Sequence, residues 1–254
     1  MPVSHSIYRA ALVALALTST LPTLAQAEVD HIVLVHGMGM DGNSWRPVYE
    51  RLTGNGQDVW VAQLPQTSAE ADIAALRRLM DNLDGDILLV GHSYGGMVIT
   101  EVGIAPDVVG LVYVAAFQPD AGETMAELSA TVPSELPQDG VLITDDGYIT
   151  LKPDVVADVV AFDLPAEEAR YIAHAQKAAS GAIMGRVTSD VAWTTKPAWS
   201  IIATQDGVIA PAQQEEMSAR SGATVTRIEG GHLLPLAHPD AVADVIEEAA
   251  RSLQ

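Results

Sequence analysis

The stretch Ile87-Leu88-Leu89-Val90-Gly91-His92-Ser93-Tyr94-Gly95-Gly96-Met97 decides the fold. Residues 87–90 read as a strand and residues 95–104 as a helix, with a serine on the turn between them. A strand that turns sharply into a helix crowds its backbone, so the positions two before and two after the serine must be small. Both are glycine here, Gly91 and Gly95, and Gly96 allows still closer packing. Such a turn lifts the Ser93 hydroxyl out of the sheet and sets the Tyr94 N–H at a helix start, where it can donate to an oxyanion. The bland alternative is a glycine turn with a capping serine; the strand before and the helix after it favour a nucleophile.

Outward from this turn, short apolar runs alternate with helical stretches. Strands are predicted at 32–35, 58–62, 109–115, 199–203 and 225–228 besides 87–90. Helices are predicted at about 43–53, 69–83, 95–104, 212–220 and 239–253. The run Ile32-Val33-Leu34-Val35 is apolar without alternation, as in a strand buried on both faces. Strands alternating with helices imply an α/β fold whose central sheet is mostly parallel and covered on both faces. Residues 119–191 break the rhythm, with prolines and acids and no strong buried strand. Within them, 141–144 and 148–151 flank Asp145-Asp146-Gly147 as a hairpin, and 153–185 reads as helical. An insertion of this length after a central strand reads as a cap over the site, with Phe117, Met125, Phe162, Tyr171 and Trp193 as apolar material to bury.

Three further motifs fall at strand ends. His36-Gly37-Met38-Gly39 follows the first strand, where the Met38 N–H can face Ser93 as a second oxyanion donor. His36 itself reads as structural. Asp206, in Thr204-Gln205-Asp206-Gly207, lies at the carboxyl end of strand 199–203, the edge where α/β sheets bind ligands. An Asx-turn aspartate competes with that reading, and Asp120, after another strand, is the rival acid. His232, in Gly230-Gly231-His232, follows the last strand and is the base; His238, before Pro239, is the reserve candidate. His31 and His174 read as bland, and His92 as packed beside the turn.

The order Ser93, Asp206, His232 is that of one fold. The chain resembles the alpha/beta-hydrolase superfamily over nearly all of its length after residue 27. Within that superfamily, Val35-His36-Gly37 with Gly42 and Trp45, His92-Ser93-Tyr94-Gly95-Gly96-Met97, and Ala115-Ala116-Phe117 with Pro119-Asp120 resemble one branch. It holds small bacterial esterases of the salicylate-esterase type, plant methylesterases and hydroxynitrile lyases. The resemblance implies Ser93 as nucleophile, Asp206 as acid, His232 as base and the Met38 and Tyr94 amides as oxyanion donors. It implies no metal and no organic cofactor. The lyases carry a lysine after the catalytic histidine and a threonine after the first-strand histidine, whereas this chain has Leu233 and Gly37. Lyase chemistry is therefore not implied, and ester hydrolysis is. Trp45, Phe117, Met125, Phe162 and Trp193 are the candidate pocket residues.

Composition narrows the partners. The 254 residues suit one large α/β domain and carry 13 Lys plus Arg against 33 Asp plus Glu, for a net charge of −20. With no cysteine, a disulfide scaffold, a thiol nucleophile and a thiolate metal site are excluded. Only three lysines are present, which argues against nucleic acid, and the charge argues against an anionic membrane surface. A small, neutral ester is the partner expected. At the amino end, Arg9, an apolar run at 10–17 and Ala25-Gln26-Ala27 form the pattern of a secretory signal peptide, cleaved near Ala27. Export to a periplasm or the medium follows, leaving an alpha/beta-hydrolase domain at 28–254. Removing Arg9 and no acid leaves 12 bases and 33 acids, a charge of −21. The same machinery would serve a lactone, a thioester or a carbon–carbon bond, and a non-catalytic binding protein of this fold is the alternative outside enzymes.

Overall fold

The computed structural model describes Met1 and residues 29–253; the signal-peptide pattern lies outside the described residues. The chain begins with β1 (His31–Val35), α1 (Arg46–Gly54), β2 (Val59–Val61) and α2 (Ala69–Met80). Next come β3 (Ile87–His92), α3 (Gly95–Val102) and β4 (Val108–Val114). An excursion then holds α4 (Met125–Thr131), β5 (Val141–Ile143), β6 (Tyr148–Leu151), α5 (Pro153–Val155), α6 (Ala166–His174) and β7 (Ala179–Ser180). The chain returns through β8 (Ala198–Ala203), α7 (Pro211–Ser221), β9 (Thr224–Ile228), α8 (Leu234–Ala237) and α9 (Pro239–Ser252).

Six strands form one parallel sheet in the order β2-β1-β3-β4-β8-β9. Every residue of β3 is buried, because both faces of the sheet are covered. Val33, Val35, Leu89 and Leu111 face one core with α2 and α3, which contribute Ile73, Leu76, Met97 and Val98. Ile32, Leu34, Leu88, Val90 and Val112 face the other, with Val48 and Leu52 of α1 and Val242, Ile246 and Ala249 of α9. This two-sided burial is why the strands read as unbroken apolar runs rather than as alternation.

The sheet grows to one side of β1 with β2 and to the other with β3, so the order of strand addition reverses between β1 and β3. Ligands bind outside the carboxyl ends of the strands at such a switch point. The loops that leave it are Gly37–Met40 territory after β1 and the Ser93 turn after β3. Helix ends are fixed locally: Ser68 caps α2 by accepting from the Ala71 N–H at 3.1 Å, and Thr124 with Glu127 forms a reciprocal box at α4. α3 has no side-chain cap, so its first turn faces the site with its own amides.

The excursion departs from the helical expectation for residues 153–185. α5 runs into a π-helical turn at Val156–Val160, Pro165 restarts the chain as α6, and the helix ends at His174. β7 then pairs antiparallel with β6, which pairs with β5, giving a three-stranded sheet. Pro165 removes a backbone donor that a continuous helix would need, and Gly181 and Gly185 weaken helix beyond it. The hairpin turn has Gly147 at φ +83°, a left-handed conformation that glycine takes without a Cβ clash. A separate apolar cluster, including Val156, Val160, Ile172 and Leu233, joins the excursion to the loop after β9.

Candidate active site

Ser93 sits at φ +54°, a left-handed backbone that a non-glycine residue adopts only when its surroundings impose it. They do so here. The Ser93 N–H donates to the Val114 carbonyl at 3.2 Å, while its own carbonyl accepts from Gly96 at 3.0 Å and Phe117 at 3.2 Å. A Cβ on Gly91 would lie 2.6 Å from the Gly95 oxygen, and one on Gly37 would lie 2.9 Å from the Ser93 Cβ. The glycines noted in the sequence are thus required by close approach, and Gly37 directly abuts the serine.

His232 and Asp206 meet this serine. The Ser93 hydroxyl lies 2.9 Å from His232 Nε2, and His232 Nδ1 lies 2.8 Å from Asp206 Oδ2. Asp206 accepts two further backbone donors on Oδ1, Val208 at 2.8 Å and Ile209 at 3.0 Å, and Gln214 Nε2 on Oδ2 at 2.8 Å. A carboxylate held by donors on every side fixes the proton on His232 Nδ1 and turns the Nε2 lone pair to Ser93. All three residues are buried; Ser93 is 8% exposed. Asp120 is spent on its own loop, accepting from the Ala121 N–H at 2.7 Å. His238 lies at the start of α9, its Nε2 3.9 Å from Asp163.

Met38 and Tyr94 flank the serine on the β1 and β3 loops. Among the described residues, neither backbone N–H has a protein acceptor. Two free donors beside an activated hydroxyl are what a tetrahedral acyl intermediate requires. The other histidines have duties. His36 Nδ1 donates to the Gly37 carbonyl at 3.0 Å and its Nε2 accepts the Leu64 N–H at 3.0 Å, and burial pushes it down to about 4. His92 donates from Nε2 to the His232 carbonyl at 2.8 Å, and burial, with His232 nearby, pushes it down to about 3. Both stay neutral, so no fixed cation competes with the proton that His232 would carry.

The pocket candidates are placed unequally. Phe117 and Met125 are buried in the core cluster against which Met38 packs. Phe162 covers the histidine loop, where a Cβ on Gly231 would lie 2.6 Å from its ring. Trp45 is fully buried on the α1 side of the sheet, edge-on to His92 with ring centroids 6.3 Å apart. Trp193 donates to the Pro119 carbonyl at 3.0 Å and lies under the Arg220 guanidinium, 5.9 Å from its ring. These two tryptophans are committed to packing. A groove of about 160 Å³ borders the oxyanion loop, lined among others by Gly39, Met40, Tyr171, Ile172 and Lys177.

Sequence reasoning missed four residues that hold these loops. They are Gln66, Asp72, Asp163 and Gln214; none belongs to a motif, and each is polar in a stretch that reads as loop or solvated helix. Among the described residues, no group of three or more His, Asp or Glu is placed to hold a metal ion, and no helix is long and apolar enough to cross a membrane.

Residues 32–245 match the family model described as Alpha/beta hydrolase family. Alpha/beta hydrolase nvfD of Aspergillus novofumigatus (strain IBT 16806) is 26% identical over 202 residues, covering 73% of this chain and 80% of that protein. A carbendazim hydrolyzing esterase of Nocardioides sp. (strain SG-4G) is 54% identical over 54 residues, 20% of this chain and 21% of that enzyme. The chain thus spans about a fifth of that relative's length. Among solved structures, a pyrethroid hydrolase from Sphingobium faniae JZ-2 matches with a TM-score of 0.76 at 20% identity, over 88% of this chain and 98% of the other. An extracellular alpha/beta-hydrolase from Paenibacillus species matches with a TM-score of 0.75 at 19% identity, over 87% and 99%. At such identities the structural likeness carries the fold.

Proposed function

Because this chain belongs to the alpha/beta hydrolase family, we propose that it is a serine carboxylic-ester hydrolase acting on small to medium neutral esters with an apolar or aromatic part. The observation that carries this reading is the hydrogen-bond chain from Ser93 through His232 to Asp206, with bonds of 2.9 and 2.8 Å, beside two free amides. Names of relatives that act on esters, the carbendazim hydrolyzing esterase among them, support the same class.

In this mechanism the Ser93 oxygen attacks the ester carbonyl carbon while its proton passes to His232 Nε2. Asp206 stabilises the resulting imidazolium and keeps its ring in register. The carbonyl electrons move to the oxygen, which the Met38 and Tyr94 N–H groups receive. The intermediate collapses, the carbon–oxygen bond of the ester breaks, and the alcohol departs with the proton from His232. Water then attacks the acyl-enzyme, giving its proton to His232, and a second collapse frees the acid and restores the serine. Residues 119–191 act as the cap, with Met125 and Phe162 as its apolar contribution near the site and Phe117 just before it. The net charge of −20 disfavours an anionic substrate, so a free-carboxylate ester should turn over more slowly than its neutral analogue. Export after cleavage near Ala27 belongs to the same proposal and rests on the sequence pattern alone.

The test is hydrolysis of p-nitrophenyl esters of graded chain length, with aryl and methyl esters, alongside labelling by a fluorophosphonate. Wild-type protein is expected to hydrolyse a subset and to label at Ser93, and Ser93→Ala to do neither. A folded wild-type chain that never labels at Ser93 would overturn the reading.

A further inference from the structure

Gln66 is a fully buried glutamine in a left-handed backbone conformation, φ +59°, on the loop between β2 and α2. Its side chain saturates the loop that carries Met38. Oε1 accepts the Gly39 N–H at 2.9 Å, and Nε2 donates to the Met40 carbonyl at 2.7 Å and the Gly37 carbonyl at 3.2 Å. The loop is thus held at the residue before Met38 and at the two after it. The Gln66 backbone is held in turn, its N–H donating to Asp72 Oδ1 at 2.7 Å. The other oxygen of Asp72 accepts the Tyr94 hydroxyl at 2.7 Å. Tyr94 is the residue whose backbone N–H flanks Ser93 on the opposite side.

We propose that Gln66, linked through Asp72 to the Tyr94 hydroxyl, is a positioning residue that sets the spacing between the Met38 and Tyr94 amides and so tunes the oxyanion pocket. The inference rests on the proposed ester hydrolysis. Glycines on both sides of Met38 leave that loop without conformational preference of its own. A left-handed glutamine costs about 1 kcal/mol or more in backbone strain, which the surroundings must supply. An amide side chain is the group that fits: it offers one acceptor to Gly39 and two donors to Gly37 and Met40 from a single plane. A glutamate at the same place would present acceptors to two carbonyls. Asp72 is buried, and burial pushes its carboxyl up while the Tyr94 hydroxyl and the Gln66 N–H draw it down. An acid buried there, with one oxygen on the Gln66 N–H and the other on the Tyr94 hydroxyl, ties the two loops together.

The test compares wild type with Gln66→Met, which keeps length and bulk while removing all three loop bonds, and with Tyr94→Phe, which removes only the hydroxyl link. Removing one oxyanion donor costs about 10²–10³ in rate, so a donor displaced rather than lost should cost about 10- to 100-fold in kcat. KM for a neutral p-nitrophenyl ester should stay within about threefold, because the ground-state carbonyl makes little use of the pocket. Affinity for a trifluoromethyl ketone, which Ser93 converts to a charged tetrahedral adduct, should fall in step with kcat. Tyr94→Phe should show the same pattern at smaller amplitude, and it carries the test if Gln66→Met does not fold. A folded Gln66→Met with wild-type kcat overturns the inference, and so does a loss of rate with unchanged ketone affinity. Wild type that hydrolyses no ester and never labels at Ser93 instead refutes the proposed function, which separates the two failures.

Discussion

Replacing Asp206 by asparagine is the sharpest perturbation of the site, because it swaps one oxygen for an amide and leaves volume unchanged. Asp206 receives four donors: Val208 and Ile209 on Oδ1, His232 and Gln214 on Oδ2. An asparagine must keep its oxygen toward the two backbone amides, which cannot turn away, and so its NH₂ replaces Oδ2. That group faces His232 Nδ1 and the Gln214 amide nitrogen. Gln214 cannot flip cheaply, since its Oε1 accepts the Ala203 N–H at 3.2 Å and its Nε2 donates to the Ile209 carbonyl at 2.7 Å. His232 therefore becomes the acceptor at Nδ1 and carries its proton on Nε2, pointing at Ser93. A base protonated toward its nucleophile cannot take a proton from it. The loss from a wrong tautomer of this kind is about 10⁴-fold in kcat, equivalent to about 5.4 kcal/mol at 1.36 kcal/mol per decade. The assay is kcat on the best p-nitrophenyl ester, with circular dichroism to show that the variant is folded. Asp120→Asn, which touches only Ala121 on its own loop, should leave activity within a factor of about two to three, as for a surface change of about 0.5 kcal/mol. A folded Asp206→Asn that keeps a tenth of wild-type kcat, or an Asp120→Asn that loses most of it, refutes the reasoning.

Three other outcomes follow from the packing. Gly91→Ala places a methyl 2.6 Å from the Gly95 oxygen, so the serine turn should shift; fluorophosphonate labelling should drop by at least about 100-fold even where the chain folds. Glu101 on α3, 1% exposed, receives Arg186 and the Ser189 N–H at 2.7 Å; Glu101→Ala leaves Arg186 only the exposed Glu70, at 3.4 Å, as an acidic partner and should cost about 2 kcal/mol, read as a fall in Tm of about 4–8 °C. His36 and His92 titrate near 6.5 when unfolded and at about 4 and 3 when folded, so only the unfolded chain takes up their protons as pH falls through 6. Their contribution is complete above pH 6.5 and is lost below it at about 1.4 kcal/mol per histidine per pH unit; urea midpoints that stay level between pH 7 and pH 4.5 would exclude it.

The sequence exposed the residues whose physics is local. β3 is legible because burial on both faces demands an apolar run, and the serine turn because close approach demands Gly91 and Gly95. The parallel α/β architecture follows from the alternation of such runs with amphipathic helices, and it is what the structure has. Gln66 had no such signal: its role comes from a loop 29 residues earlier in the chain, which no period or motif relates to it. Gln214 sits in the first turn of a polar helix and reads as a solvated face until β8 brings Asp206 against it. β7 is two residues of low strand propensity, Ala179-Ser180, and exists because β6 offers an edge to pair with. Residues 153–185 read as helix because alanine is the commonest residue there, and tertiary pairing overrides that weak preference.

The excursion after β4 does more than add a small second sheet. It touches three of the four loops that leave the sheet at the site, those after β1, β8 and β9, through backbone or carboxylate. The Lys177 N–H donates to the Gly39 carbonyl at 2.9 Å on the oxyanion side. The Glu135 N–H donates to the Gly207 carbonyl at 2.7 Å, next to Asp206. Asp163 accepts the Gly231 N–H at 2.7 Å, next to His232. Each of these loops carries glycine, needed there for close approach: to Ser93 at Gly37, to Val159 at Gly207, to Phe162 and Asp163 at Gly231. The same glycines deprive the loops of intrinsic order, since each residue without a Cβ loses more backbone freedom on folding. An external set of bonds must therefore supply the order that a 2.9 Å contact between serine and histidine requires. Insertion after β4 is thus as much a part of the geometry of the candidate site as the strands that carry its residues, because the sheet fixes where the loops begin and the excursion holds three of them further out.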